Sequence, residues 1–342
     1  MKKAKIAING FGRIGRLIYR QALAAKGLEV VAINDLGDVE NLAYLLKYDT
    51  VYGRFPHEIS ADKTKNEIVV DKRRIKVLQV KDPKDLPWGD MQIDIAVEST
   101  GLFESFEAAK AHLAAGAKRV VLSAPAKDAE GEGRTVLVGI NEEDLKKVKI
   151  SSNASCTTNS IAPVIKILSE ELGIEKAVLG TVHAITSTQN LADGPVRDGK
   201  DFRRGRAAGY NIAPSTTGAA IAVTRIIPEL KDKFDGLAYR VPVPTGSMSD
   251  ITFIARRSTT VEEVNGILSK AAKSARWQGI LAVTGDQVVS SDIIGEPYGA
   301  TVDLSLTKVI GGNLVKVISW YDNEYGYVAT LIRHLEKVAQ VM

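Results

Sequence analysis

A glycine-rich turn near the N-terminus constrains the fold more than any other feature of this sequence. The short, largely apolar run at residues 5–8 leads into Asn9, and Gly10, Gly12 and Gly15 follow with the spacing G-x-G-x-x-G. The next apolar side chains recur at helical spacing, at Ile14, Leu17, Ile18 and Ala22. Strand, glycine turn and helix in this order are typical of a dinucleotide-binding βα unit, in which pyrophosphate approaches the backbone at the helix N-terminus.

An acidic residue at the end of a second strand strengthens this interpretation. The apolar residues 30–33 precede Asn34 and Asp35, and Asp35 lies 20 residues after Gly15. A carboxylate at that spacing accepts hydrogen bonds from the adenosine ribose and repels the extra phosphate of NADP. The pattern therefore favours an NAD site over a glycine turn that merely ends a strand.

Further apolar segments continue the alternation of strands and helices. Strands are predicted at residues 93–97, 119–122 and 136–138, and Phe106, Ala109 and Leu113 indicate a helix between the first two. Such alternation is typical of an α/β domain with a mostly parallel sheet.

The composition excludes several other classes of protein. The 342 residues allow two domains, and 45% hydrophobic and 25% charged residues are ordinary values for a globular chain. No apolar stretch reaches the ~20 residues of a membrane-spanning helix, and the apolar segment after the N-terminal lysines is too short for a signal peptide. We therefore expect a cytoplasmic protein without membrane contact. A single cysteine excludes an internal disulfide and a multi-cysteine metal site, and no metal is expected.

That single cysteine, Cys156, lies in a hydroxyl-rich segment. Residues 152–159 are mostly Ser, Thr and Asn, and a helical pattern follows at residues 161–172. Free backbone N–H groups at a strand-to-helix junction lower a thiol pKa, so we interpret Cys156 as a nucleophile rather than a small buried apolar residue. Pro163 leaves two possibilities for the helix, which either begins near Asn159 or is kinked.

A thiol nucleophile needs a base, and the chain has four histidines. His57 lies in an irregular polar segment, and His112 and His334 lie on or beside the polar faces of amphipathic helices, where solvated side chains are expected. His183 follows the apolar residues 177–182, which resemble a buried strand. It is the best base by elimination, although a strand histidine with only structural hydrogen bonds remains an alternative.

Three segments of the second half resemble anion sites. Residues 214–219 place hydroxyls and a glycine at the start of an apolar helix, and Arg240 follows a predicted strand. The basic cluster at residues 201–206 is interpreted as a solvated face or a subunit contact. Nucleic-acid binding is not indicated, because no aromatic platform accompanies this cluster.

Taken together, these motifs resemble the glyceraldehyde-3-phosphate dehydrogenase family. The resemblance runs from INGFGRIGR at residues 8–16, through ASCTTN at 154–159, to WYDNEYGY at 320–327. It implies a Rossmann-type NAD-binding domain and an α+β catalytic domain with a mostly antiparallel or mixed sheet. The implied boundaries are residues 1–154 with the C-terminal helix 322–342, and residues 155–321. A homotetramer is implied as well, with a loop from about Thr188 to Gly209 that reaches a neighbouring subunit.

The resemblance also implies the role of each site residue in the NAD-dependent phosphorylating oxidation of glyceraldehyde 3-phosphate. Cys156 is the expected nucleophile and His183 its base. Thr186 and Arg240 are expected to hold the substrate phosphate. The inorganic phosphate is expected to contact Ser155, Thr157, Thr217 and Gly218, together with one of the arginines 203, 204 and 206, of which Arg204 is preferred. The residues expected to bind NAD are Asn9, Gly10, Gly12, Arg13, Ile14, Asp35, Lys81, Ser123, Asn323 and Tyr325.

Two residues and one loop depart from the family pattern. Ile185 stands where an aromatic residue is more usual, Ile221 replaces a lysine, and the loop at residues 193–198 is slightly longer than usual.

Two related dehydrogenase activities are alternatives. Erythrose-4-phosphate dehydrogenase shares the fold but tends to lose the Thr217–Gly218 pair, and aspartate-semialdehyde dehydrogenase would not need two phosphate sites. A cysteine hydrolase would leave the glycine turn and Asp35 without a purpose.

Overall fold

The computed structural model describes residues 3–196 and 200–342 of the chain. Its contacts divide into two compact units, Met1–Ala154 with Leu331–Met342, and Ser155–Thr330. Arg197 and Asp198, which belong to the loop that the sequence predicts to be long, lie outside the described residues. Within the described ranges, no helix has the length and apolar character needed to span a bilayer.

The first unit is built on a nine-stranded sheet. Its strands are β1 (Ala4–Asn9), β2 (Leu28–Asn34), β5 (Ile59–Asp62), β6 (Glu67–Val70), β7 (Arg73–Leu78), β8 (Ile95–Glu98), β9 (Arg119–Leu122), β10 (Gly133–Thr135) and β11 (Ile150–Ser152), and a separate hairpin pairs β3 (Tyr48–Asp49) with β4 (Gly53–Arg54). Its helices are α1 (Arg13–Ala22), α2 (Val39–Lys47) and α3 (Phe106–Ala114).

The strand order is β10-β11-β9-β8-β1-β2-β7-β6-β5. All pairs from β10 to β7 are parallel, and β6 and β5 add an antiparallel edge. The carboxyl ends of β1, β2 and β8 therefore meet at one edge of the sheet, which carries Asn9, Asn34 and Glu98. Ligands of open parallel sheets bind at this edge.

Most of the predicted elements of this unit are confirmed, and one is wrong. The strands predicted at 30–33 and 119–122 lie in β2 and β9, and the one predicted at 93–97 overlaps β8 from Ile95 onward, but residues 136–138 form no strand. The side chain of Asn141 accepts a hydrogen bond from the Leu137 backbone N–H and donates one to the Thr135 carbonyl. The Val136 N–H still donates to the Ser152 carbonyl of β11, but from Leu137 onward the Asn141 side chain replaces the strand ladder, so Val136 and Leu137 are buried without belonging to a strand.

The second unit carries a seven-stranded mixed sheet. Its strands are β12 (Ile174–His183), β13 (Ala213–Thr216), β14 (Phe234–Arg240), β15 (Ser247–Ala255), β16 (Leu281–Thr284), β17 (Ala300–Ile310) and β18 (Leu314–Tyr321), in the order β13-β14-β12-β15-β18-β17-β16. Four of the six pairs are antiparallel, and the pairs β12–β14 and β16–β17 are parallel. Its helices are α4 (Cys156–Leu172), α5 (Ala219–Ile226) and α6 (Val261–Ala272).

The last helix, α7 (Tyr325–Gln340), extends from residues of the second unit into the C-terminal segment counted with the first. Residues 322–330, which the sequence analysis places with the NAD-binding domain, belong by their contacts to the second unit. Asp322, for example, accepts a hydrogen bond from the Gly295 backbone N–H at 2.8 Å.

The two helical histidines predicted to be solvated are buried, so that prediction is wrong. His112 and His334 are both 0% exposed. His112 accepts a hydrogen bond from the indole N–H of Trp88, and His334 Nε2 lies 2.8 Å from the Ser151 hydroxyl. Both partners are distant in sequence, and each makes burial of a polar ring possible.

Candidate active site

The thiol and the imidazole predicted to react together are in contact. Sγ of Cys156 lies 3.4 Å from Nε2 of His183, which is within the range for a hydrogen bond to sulfur. Cys156 is the first residue of α4 and His183 is the last residue of β12. The contact therefore joins a helix N-terminus to a strand end, at a cysteine that as a residue is half-buried.

The local chain explains why α4 begins at Cys156. Ser155 is the N-cap, and its hydroxyl accepts a hydrogen bond from the Thr158 backbone N–H at 3.0 Å. Ala154 before it has φ 55°, a left-handed conformation that turns the chain sharply into the helix. The helix continues through Pro163, so it does not begin near Asn159.

The charges around the imidazole favour its neutral form. Burial lowers the pKa of His183 to about 3, and the nearby cations Arg240 and Arg204 act in the same direction. Nδ1 of His183 lies 2.7 Å from the carbonyl oxygen of Ala184. This oxygen favours a proton on Nδ1, the tautomer that leaves Nε2 free to accept a proton from the thiol side. The donor-only guanidinium of Arg240 beside the same nitrogen favours the opposite tautomer. Burial raises the pKa of Cys156, and Arg240 opposes this rise.

Arg240 is a buried cation suited to an anionic ligand. Its Nη1 lies 2.8 Å from Nδ1 of His183 and 3.2 Å from the carbonyl oxygen of Ala184. Burial, followed by the charge of Arg204, lowers its pKa. Its Nε is buried and has no hydrogen-bond partner within the described part of the chain. A buried donor without a partner is costly, and an anion bound here would satisfy it.

Of the three candidate arginines, the structure brings only Arg204 beside the other anion-site residues. Its Nε donates to the Ser215 hydroxyl at 2.8 Å, and its Nη1 lies 3.5 Å from the hydroxyl of Thr188. That Thr188 hydroxyl is also 2.8 Å from the hydroxyl of Thr186. All three arginines are paired with an aspartate, but the Arg204 side chain is 23% exposed, whereas those of Arg203 and Arg206 are 61% and 64% exposed.

A second group of donors lies at the start of α5. Gly218 is the N-cap and supplies no side-chain cap, and Thr217 precedes it with a half-buried side chain. The N-terminal N–H groups of this helix therefore depend on the Thr217 hydroxyl, which accepts from the Ala219 N–H at 3.2 Å, or on an external acceptor.

The sequence analysis missed Tyr321, a buried residue beside the reactive pair. Its hydroxyl lies 2.9 Å from that of Thr157 and 2.8 Å from that of Thr181, and its ring packs edge-on against His183. Thr157 is only 4% exposed, so its hydroxyl is part of this bridge rather than openly presented to a ligand. No local sequence signal reveals the bridge, because its members come from three separate elements.

The glycine turn of the first unit leaves space for a ligand at one position and none at the other two. A Cβ at Gly10 would lie 2.7 Å from Ser99 and Thr100 backbone atoms, and one at Gly15 would lie 2.1 Å from the Gly10 carbonyl oxygen. A Cβ at Gly12 would meet nothing within 4 Å. Gly10 and Gly15 therefore serve close packing of the chain, whereas Gly12 borders open space at the N-cap of α1.

Two family models match this chain along most of its length. Residues 4–106 match "Glyceraldehyde 3-phosphate dehydrogenase, NAD binding domain", and residues 155–323 match "Glyceraldehyde 3-phosphate dehydrogenase, C-terminal domain". The chain belongs to the glyceraldehyde-3-phosphate dehydrogenase family.

Relatives that carry this family name cover nearly the whole sequence. The enzyme of Clostridium pasteurianum is 48% identical over 341 residues, which are 98% of this chain and 99% of the relative. That of Streptomyces coelicolor is 49% identical over 332 residues, 96% of each chain. That of Clostridium acetobutylicum is 47% identical over 342 residues, 99% of each chain.

The first unit contains the family's NAD-binding domain, and its edge fits that cofactor. The Asp35 carboxylate accepts hydrogen bonds from the backbone N–H groups of Phe11 and Gly37, which leaves acceptor capacity for ribose hydroxyls. The guanidinium of Arg13 is bound to Asp49, so we expect Arg13 and Ile14 to contact pyrophosphate through their backbone N–H groups at the start of α1.

The remaining predicted NAD residues differ in how they are placed. Lys81 is exposed, and Ser123 is half-buried just after β9. Asn9 is only 1% exposed and lies behind the glycine turn, where its amide bonds other side chains. The Asn9 side chain is therefore bonded within the protein, and its expected part in NAD binding stays a prediction.

In the second unit, the side chain of Asn323 has a fixed orientation. Its Oδ1 accepts hydrogen bonds from Ser247 Oγ, the Gly246 N–H and Thr245 Oγ1, at 2.9, 3.1 and 3.2 Å. These three donors leave Nδ2 as the donating end of the amide, as required for binding a carboxamide oxygen. Tyr325 follows as a half-buried residue at the start of α7.

Proposed function

We propose that this chain is an NAD-dependent phosphorylating dehydrogenase, which converts D-glyceraldehyde 3-phosphate and inorganic phosphate to 1,3-bisphosphoglycerate. The observation that carries the proposal is the 3.4 Å contact between Cys156 Sγ and His183 Nε2, next to the buried guanidinium of Arg240. A thiol, a base and a cation for phosphate are the groups that this reaction requires. The names of the relatives support the choice of substrate.

The first half of the reaction uses the thiol and the imidazole. The sulfur of Cys156 attacks the aldehyde carbon, and the carbonyl oxygen becomes the hydroxyl of a thiohemiacetal. Neutral His183, in the tautomer with its own proton on Nδ1, accepts the hydroxyl proton at Nε2 as the carbon is oxidised to a thioester. The backbone N–H of Cys156 stabilises the developing oxyanion, an effect often worth ~3–4 kcal/mol.

Bound NAD supplies the hydride acceptor for this oxidation. Asp35 and the turn at Gly10–Gly12 would hold its adenosine and pyrophosphate, and the Asn323 amide its carboxamide. The existing bonds of the Asp35 carboxylate and of Asn323 Oδ1 orient both groups before binding. Preorganised groups of this kind lower the entropy cost of binding.

The second half of the reaction uses the anion sites. Arg240 and Thr186 would hold the C3 phosphate of the substrate, because the buried Nε of Arg240 lacks a partner within the described residues. Arg204 with the N-terminus of α5, at Thr217 and Gly218, would hold the inorganic phosphate. That phosphate attacks the thioester carbon, the C–S bond breaks, and the thiolate of Cys156 is released.

Exposed apolar side chains support a homotetramer. Leu191, Phe202, Tyr210 and Ile212 are 89%, 76%, 89% and 71% exposed, and all lie in or next to the segment expected to reach a neighbouring subunit. Apolar exposure on this scale marks protein–protein contacts. Sedimentation should give about four times the 36.9 kDa chain mass, and Tyr210→Glu should shift it to smaller species. The cytoplasm, where phosphorylated sugars are processed, is the proposed compartment.

The activity is tested by NADH formation from NAD and glyceraldehyde 3-phosphate, with and without inorganic phosphate. Sustained, phosphate-dependent NADH formation is expected. A single phosphate-independent burst would leave acylation of Cys156 in place but contradict the inorganic phosphate site. Reaction with erythrose 4-phosphate alone would replace the proposed substrate.

A further inference from the structure

A buried carboxylate in the first unit collects hydrogen bonds behind the glycine turn. Glu98, at the end of β8, is 3% exposed. One of its oxygens accepts from Asn9 Nδ2 at 2.6 Å and lies 3.1 Å from His112 Nε2. The other accepts from the Thr100 backbone N–H at 2.8 Å and from the Thr100 hydroxyl. No step of the proposed reaction uses this group.

The chemistry of Trp88 fixes the direction of these bonds. An indole N–H can only donate, and Trp88 Nε1 lies 3.0 Å from His112 Nδ1, so Nδ1 must accept. The imidazole therefore carries its proton on Nε2 and donates it to Glu98. Asn9 likewise donates to Glu98, and its Oδ1 accepts from Asn34 Nδ2 at 2.7 Å. Every partner thus points a donor at the carboxylate.

Ser99, which lies between Glu98 and Thr100, holds the glycine turn. The Ser99 hydroxyl donates to the carbonyl oxygen of Gly10 at 2.8 Å, and the Ser99 N–H donates to that of Asn9 at 2.8 Å. Gly10 packs so closely on the Ser99–Thr100 backbone that no Cβ fits between them. A shift of Glu98 or Thr100 would therefore move the turn itself.

We infer that Glu98, His112 and Trp88 are positioning residues for the dinucleotide, which set its affinity by holding Thr100 and Ser99 against Gly10. This inference rests on the proposed use of NAD. None of the three residues needs to touch the cofactor. Their side chains are nearly or fully buried, and they act through the backbone of the turn.

Glu98→Gln tests the direction of the hydrogen bonds. The new amide must point its NH₂ group at the Thr100 N–H or at the donors of Asn9 and His112, so two donors face each other in either case. We expect the dissociation constant for NAD, measured by calorimetry, to rise about tenfold, as for loss of one buried hydrogen bond to a charged group. The kcat at saturating NAD should change by less than about twofold, because the Cys156–His183 pair is untouched.

Trp88→Phe supplies a milder second variant and a double-mutant cycle. Without the indole N–H, His112 can move its proton to Nδ1 and accept at Nε2 from the amide that Glu98→Gln introduces. This change relieves the contact with His112, whereas Asn9 Nδ2 still points a donor at the same position. The double variant should therefore bind NAD at least about threefold more tightly than the two single effects predict. Strictly additive effects would overturn the proposed direction of the bonds.

His334→Gln is the matched control, because it alters another fully buried histidine of the same unit. We expect it to lower the melting temperature without changing NAD affinity. If Glu98→Gln and Trp88→Phe do the same, the three residues are only structural and the inference fails. If the wild-type protein does not bind NAD, the proposed function fails instead.

Discussion

The strand register places His183 directly opposite Arg240 on the neighbouring parallel strand. The backbone pairing of β12 and β14 therefore brings a base and a buried cation together, with Arg240 Nη1 2.8 Å from His183 Nδ1. The thiol of Cys156 reaches the other ring nitrogen from the start of α4. Each partner of the imidazole thus depends on a regular element rather than on a loop.

Cys156→Ser should abolish turnover and leave NAD binding intact. A serine hydroxyl is a much weaker nucleophile than a thiol when its base is a neutral imidazole, so kcat should fall at least about a thousandfold. Steady-state NADH formation measures the loss, and calorimetry should give an unchanged dissociation constant for NAD. Activity above a few per cent of wild type would contradict the thioester route.

Arg204→Ala and Arg203→Ala should differ in their effect on the KM for inorganic phosphate. Arg204 bonds Ser215 and approaches Thr188, whereas Arg203 is 61% exposed and paired with Asp201. Loss of a charge-assisted contact should raise the KM for inorganic phosphate about tenfold in Arg204→Ala. Arg203→Ala should change it by less than about twofold. Equal effects would show that this basic cluster acts only as a diffuse positive field.

Gly12→Ala and Gly15→Ala should have different consequences for stability. A Cβ at Gly12 meets nothing within 4 Å, so the melting temperature should be retained while NAD affinity falls about tenfold through contact with the pyrophosphate. A Cβ at Gly15 would overlap the Gly10 carbonyl oxygen at 2.1 Å, so both quantities should fall. Thermal unfolding and calorimetry on the two variants test this. Unchanged NAD binding in Gly12→Ala would contradict a nucleotide at this turn.

Acid should destabilise the fold through His334. Burial lowers its pKa from 6.5 to about 4, so between these values the unfolded chain binds a proton that the native chain does not. Neutral His334 makes its full contribution to the free energy of unfolding above pH 6.5. That free energy falls by up to about 1.4 kcal/mol per pH unit as the pH falls towards 4. Urea unfolding of His334→Gln should show a shallower pH dependence over this range. The lowered pKa of His183 acts in the same direction and is expected to leave some pH dependence in the variant. Equal slopes of unfolding free energy against pH in wild type and His334→Gln would exclude His334 as the cause.

The sequence predicts the reactive pair and the glycine turn because both depend on local patterns. The spacing of Gly10, Gly12 and Gly15 predicts the turn, and the polar neighbours of Cys156 indicate a reactive thiol. Helical periodicity is a weaker guide to burial. It places His112 and His334 near polar faces, and it cannot show that Trp88 and Ser151 form hydrogen bonds with them.

Long-range hydroxyl contacts are also beyond local patterns. Tyr321 bridges Thr157 and Thr181, which are distant in sequence and belong to different elements. The strand predicted at residues 136–138 fails for a related reason, since the Asn141 side chain bonds the Leu137 N–H and the Thr135 carbonyl, and only the Val136 N–H still bonds a neighbouring strand. Such bonds become visible only when the tertiary arrangement is known.

The one-way donation from Trp88 through His112 to Glu98 also restricts how this family can change over time. An amide at position 98 leaves two donors facing each other, and the contact with His112 is relieved only where position 88 has already lost its indole. The two positions are therefore expected to change in a fixed order, with the tryptophan replaced first. Lineages that keep the tryptophan should keep the acid as well, although the two side chains never touch a reacting atom.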